Sequence, residues 1–171
     1  MLEFLFSMAI LTIGVGGVLP LLLGSMTIDK KAAGDTTSIM VADLVLVQIS
    51  SQGAQSQPAL FISECATSAN IWTVNVQRKQ PSGNFGANLT AAGTIDWSQD
   101  YNAIPAGYAM RYVACSTTND VPVTYEVRWT VIQTSSADTT KMIVMSARPK
   151  IASPIALGFI APVNLRTIIG L

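Results

Sequence analysis

The chain has 171 residues, enough for one domain or one domain with an appendage. Half of it is apolar, ten basic side chains balance ten acidic ones, and there is no histidine. A zero net charge gives no general field for holding nucleic acid, and the missing histidine removes the commonest general base and metal ligand.

Residues 1–26 carry a single charge, Glu3, and no further charge appears before Asp29. Some twenty-three apolar or small residues follow Glu3, and at about 1.5 Å rise they span the roughly 30 Å hydrocarbon core of a bilayer. Three readings fit such a run. A cleavable secretory signal needs a basic start and a shorter apolar core, neither of which is present. A plain membrane anchor fits the length but gives Glu3 and Pro20 no task. A helix that leaves the membrane to pack with copies of itself uses both. Gly14, Gly16, Gly17 and Pro20 fall within seven residues. Each Gly costs a helix interior about 1 kcal/mol and Pro about 3 kcal/mol, so the cluster predicts a kink or a locally unwound segment. Small residues also let helices approach closely in lipid.

Beyond Met26 the chain becomes more polar at Asp29, Lys30, Lys31 and Asp35, then apolar again from Ile39 to about Gln52. Met40, Leu44 and Val47 recur at helical spacing and predict the face that packs on a folded domain. Val41, Val45 and Leu46 broaden the apolar surface enough for a second contact. Residues 2–52 therefore read as one long helix of roughly 75 Å whose front half projects free. The segment Gly53 to Pro58 supplies stop signals.

Strands follow. Residues 59–66 are apolar and contain Cys65, and 70–77 alternate. Residues 79–106 are rich in Gly, Asn and Ser and predict a long loop with one short strand near 93–97. Alternation at 107–115, 123–134 and 141–148 predicts three better strands, the last two joined as a hairpin by a turn at 135–138. Pro149 and Pro154 interrupt the sheet, and 155–171 are apolar enough for a last edge strand. The expected fold class is α+β: a long N-terminal helix, its front half apolar and kinked or unwound near Pro20, packed on a C-terminal antiparallel sheet. The expected divisions are 1–27 as the membrane or filament-core half of the helix, 28–52 as its amphipathic half, and 53–171 as the β domain.

No motif for nucleophilic, phosphate or metal chemistry occurs. Asp96 and Asp100 flank Trp97 and Tyr101 and read as a solvated, turn-stabilising pair. Asn88, Leu89 and Thr90 form a formal glycosylation sequon of a kind that chance often produces. Arg78, Lys79, Arg111, Arg128, Lys141, Arg148, Lys150 and Arg166 face Glu64, Asp96, Asp100, Asp120, Glu126 and Asp138, too even a balance for a nucleic-acid groove. No cofactor or metal is expected. Cys65 and Cys115 read as a disulfide in an exported domain, closing a loop that contributes about 4 kcal/mol in the chain-entropy account; free buried thiols are the alternative. Glu3 is the ionisable group in the most expensive place, since a carboxylate in hydrocarbon needs a partner or a proton. Lys30 lies about 40 Å away along a helix, so the partner is a lipid headgroup or the terminal amine of another copy.

The stretch from Glu3 to Gly14, with Pro20 seventeen residues after the acid, resembles the N-terminal helix of type IV pilins and pseudopilins. Its wording is closest to the V-type minor-pilin branch, and the 125–131 and 141–146 hairpin is similar to that branch's C-terminal sheet. The family's basic leader, which ends in Gly, and its peptidase processing and N-methylation are implied by this resemblance; in the family the acid falls two places later than Glu3. The resemblance implies a structural subunit rather than an enzyme. It implies a pilin-like fold that waits in the inner membrane and is extracted by a pilus assembly machinery into an extracellular filament of packed N-terminal helices. Glu3 would pair with a neighbour's amine, and the segment holding Gly14, Gly16, Gly17 and Pro20 would unwind to adapt. Adhesion and motility are the associated roles. A minor pilin, a secretion-system pseudopilin or a membrane-anchored periplasmic binding module are the competing expectations.

Overall fold

A computed structural model describes residues 2–51, 72, 74–76, 84–114, 123–133, 140–150 and 162–170. The described elements are a helix, α1 (Leu2–Ser50), and five strands, β1 (Asn84–Gly86), β2 (Ala109–Ala114), β3 (Val123–Gln133), β4 (Thr140–Pro149) and β5 (Val163–Gly170). A helical region followed by an antiparallel sheet is the α+β layout expected. The strands expected at 59–66 and 70–77 lie wholly or largely outside the described residues, as do the turn at 135–138, the stop signals at 53–58, Cys65 and Cys115.

Alternation of side chains builds the sheet around β3. β4 pairs with β3 from Tyr125↔Pro149 to Gln133↔Lys141, and β5 pairs with β4 from Ala147↔Val163 to Thr140↔Gly170. The other side of β3 is shared end to end: β2 covers its first half, and β1 pairs with Thr130, Val131 and Ile132. The apolar tail thus contributes its strand from Val163 onward. The join between β1 and β3 depends on one glycine. Gly86 has φ of 130°, and a Cβ there would stand 2.9 Å from both the Thr130 Cα and the Tyr108 Cδ1. No L side chain fits that conformation or that space.

One face of the sheet carries Tyr125, Val127, Trp129 and Val131 beside Ala147, Met145 and Ile143, and all seven are buried. The second half of α1 lies over this face, chiefly against β4 and β5, and Thr37 hydrogen-bonds Tyr125. Trp129 donates through Nε1 to the Asn75 carbonyl at 3.0 Å, so the largest core side chain keeps its polar atom satisfied.

The buried face of α1 differs from the one the spacing predicted. Ser38, Val41, Ala42, Val45, Leu46 and Ile49 enter the core, Leu44 is partly buried, and Met40 and Val47 face outward. Nearly every residue from 39 to 49 is apolar, so several stripes have the right period and hydrophobicity alone does not choose among them. Side-chain size and shape make the choice. Small Ser38 and Ala42 let the helix approach closely, and Ser38 satisfies its hydroxyl on the Gly34 carbonyl at 2.8 Å. Val45 and Ile49 each contribute about 2 kcal/mol through full burial. At the helix end, the Ser50 and Ser51 hydroxyls donate to the Val47 and Gln48 carbonyls, competing with the helical ladder where it stops.

Pro20 lies inside α1, and the helical assignment continues on both sides of it. Unwinding across Gly14, Gly16, Gly17 and Pro20 is therefore not present in this chain. One proline removes a single helical donor, and among the described residues none packs on this half of the helix to exploit the weakness.

The expected long loop holds over its described part, 84–106, but it does not stand clear of the sheet. Residues 87–106 form a strap that folds over the second face of the sheet, with Ala87, Ile95 and Ile104 buried. Its short pairings are β1 and an isolated bridge between Leu89 and Ile95, not a strand across 93–97. Small polar residues hold its turns. The Asp96 carboxylate accepts from the Ser98 amide and hydroxyl, and Asp100 caps a single 3-10 turn by accepting from the Asn102 amide at 2.7 Å. The two aspartates do stabilise turns, and the Ser98 bonds hold the Asp96 carboxyl below its ordinary pKa.

Candidate functional site: an exposed apolar helix and an arginine-held strap

The residues singled out for assembly all stand on the free half of α1. Glu3 is exposed in the first helical turn, where the partial positive charge of the helix N-terminus favours a carboxylate. Gly14, Gly16 and Gly17 are exposed, and a Cβ at any of them would meet nothing within 4 Å. Their small size serves no contact among the described residues. Pro20 is exposed as well. The stretch Phe6–Met26 is long and apolar enough to cross a membrane, and none of it is buried. Its side chains include Phe6, Leu11, Ile13, Leu19 and Leu21, each more than half exposed. The Thr12 hydroxyl donates to the Met8 carbonyl at 2.7 Å, leaving no unmet hydroxyl donor on that residue for lipid to accommodate.

A second stretch, Ala32–Ser50, also passes on length and composition, but a third of it is buried. It is the half that holds the sheet. The helix thus divides into an apolar half whose side chains are exposed and an apolar half committed to the core. A membrane anchor is consistent with the first half.

The second face of the sheet holds a group of charges that no sequence motif marked. Arg111, Glu126 and Arg148 are direct cross-strand neighbours on β2, β3 and β4. Arg128, two residues along β3, shares their face and forms a salt bridge with Glu126. This pair is buried, with Glu126 7% and Arg128 2% exposed. Arg128 also donates to the Gln99 carbonyl at 2.7 Å.

Four arginines, one from each of β2 to β5, touch the same strap. Arg128 and Arg166 do so through backbone carbonyls, the latter at Gly93 at 2.9 Å. Arg148 and Arg128 stack on Trp97 at 4.1 and 4.5 Å, and Arg111 lies over Tyr101 at 4.4 Å. Trp97 Nε1 donates to the Ser146 hydroxyl at 3.0 Å, which itself donates to the Val163 carbonyl. Burial lowers the Arg148 pKa and raises that of Tyr101, consistent with partial removal of both from water. The alternation of β3 put Glu126 and Arg128 on one face. It did not reveal which strands flank them, nor that the strap would return across them. Among the described residues, no three His, Cys, Asp or Glu side chains gather as a metal site.

Comparison with known protein families, curated proteins and solved structures found no match to this chain.

Proposed function

We propose that the chain is a structural subunit of a type IV pilus-like filament, held in the inner membrane by Phe6–Met26 before assembly and by the helices of neighbouring copies afterwards. The observation that carries this reading is the division of α1. One half is packed on the sheet domain, and the other, largely apolar, exposes its side chains among the described residues. Removing this many large apolar side chains from water yields about 1.5–3 kcal/mol for each one fully buried, so some apolar surrounding must take them. Lipid and like helices are both suitable. The open glycine faces suit close helix approach in the second case. Glu3 then pairs with the terminal amine of an adjacent copy, and an open head-to-tail interface of this kind extends without closing.

The test is negative-stain microscopy of sheared cell-surface material, with mass spectrometry of its protein and of the N-terminus. Fibres composed of this chain are expected, and Glu3→Ala is expected to abolish them while the subunit remains in the membrane. If the chain stays a detergent-soluble monomer absent from any fibre, and Glu3→Ala changes nothing, it is instead a membrane-anchored extracytoplasmic module.

A further inference from the structure

The four sheet arginines engage the strap in two different ways. Arg128 and Arg166 spend N–H groups on backbone carbonyls. Arg111 and Arg148 offer only their flat faces, to Tyr101 and Trp97. Among the described residues, neither donates a hydrogen bond or joins a salt bridge, and the Arg111 Nε is buried without a partner. Glu126, their cross-strand neighbour, is taken by Arg128. Among the described residues, two of these three guanidinium groups therefore stand outside any salt bridge at a partly buried place.

A guanidinium stacked on an aromatic ring keeps its five donors in the plane of the group, at its edge. Stacking holds that plane still, so an arriving oxyanion meets a fork already oriented and less side-chain entropy is lost on binding. The strand register sets the spacing. Arg111 and Arg148 lie on either side of β3, about 10 Å apart at the backbone from two strand spacings, and on one face.

We propose that Arg111 and Arg148, backed by Tyr101 and Trp97, form a binding site for an oxyanion, phosphate or carboxylate, on the strap-covered face of the sheet. The site lies on the sheet domain, away from the free half of α1, and stands whether or not the chain builds filaments. The ligand pairs with the two guanidinium groups that the Glu126 salt bridge does not include, and it ties β2 and β4 to the strap through the two rings.

The full chain in a non-ionic detergent provides the test. Its thermal midpoint is followed against inorganic phosphate, and separately against acetate, with sodium chloride holding ionic strength constant. Either anion is expected to raise the midpoint in a saturable way. The double substitution R111K/R148K keeps the charge but loses the planar fork, and it is expected to raise the half-saturating concentration about tenfold. R111Q/R148Q is expected to remove the saturable rise. Arg166→Gln, whose guanidinium is already used by the strap, is expected to leave the half-saturating concentration unchanged. No saturable rise with either anion overturns the proposal. So does an unchanged response in R111K/R148K, which folds with its charges intact, or an equal loss in Arg166→Gln, which would reduce the effect to net charge.

Discussion

Three single residues have consequences that reach well beyond their own positions. Arg128→Met strips the partner from buried Glu126, and leaving a lone buried charge typically costs about 3 kcal/mol or more. Replacing both members, as Glu126→Leu with Arg128→Met, is expected to recover most of that loss, measured by thermal and denaturant unfolding in detergent. Gly86→Ala is expected to destabilise by about 2 kcal/mol, because a Cβ meets fixed backbone at a positive φ. Tyr108 is pushed up to about 12 from its model-compound value of 10.0 by burial. Its neutral form is therefore favoured in the folded state. The associated stability is complete below pH 10 and is lost as pH rises from there toward about 12. An ultraviolet titration of the native protein should show one of its four tyrosines ionising last, and Tyr108→Phe should remove that phase. The same scale shows what a sequence conceals. Trp97 and Tyr101 were visible as aromatics in a polar stretch, but the guanidinium faces they cover come from strands that lie ten to fifty residues away.

At the scale of the element, α1 illustrates how one helix serves two surroundings. If its free half is a membrane anchor, substitution there is expected to leave the fold intact and to impair insertion, and in its second half the reverse. Val15→Lys, near the middle of Phe6–Met26, is expected to raise the cost of membrane insertion by about 3 kcal/mol and to shift the protein out of the alkaline-extracted membrane fraction. The melting of the sheet domain should remain unchanged. Ile49→Ala is expected to do the opposite, destabilising the domain by about 2–4 kcal/mol through the lost contacts and the cavity left against the sheet, with insertion intact. The existence of this helix was legible from composition alone, and so were β3 and β4, where alternation is long and clean. The face by which α1 docks was not, since a helix segment apolar on nearly all sides offers several stripes of equal period. That the loop at 87–106 returns over the sheet was not legible for a related reason: Gly, Asn, Ser and Thr report turns, and turns form equally well over a sheet as in solvent.

For the molecule as a whole, α1 lies over one face of the sheet and the strap over the other, while among the described residues half of the helix remains uncovered. A chain built this way has its largest exposed apolar stretch at one end. That polarity is the basis for proposing a membrane-to-filament passage, and it makes a concrete demand. Shortening the apolar run, for example by deleting 6–13, should release a folded sheet domain from the membrane fraction and abolish any fibres, read by fractionation and electron microscopy.

The amino-acid sequence by itself determined the order of the parts: an uncharged membrane-length run behind one carboxylate, a second helical half, then alternating strands. These are local properties, since the spacing of apolar side chains and the absence of charge need no knowledge of distant residues. Only the tertiary structure decided which stripe of the helix is buried, that Pro20 leaves the helix unbroken in the lone subunit, and that four arginines converge on one strap. Those outcomes depend on strand register and on the fit of side chains separated by tens of residues. Local periodicity places a side chain on a face, and only the folded chain determines what covers it.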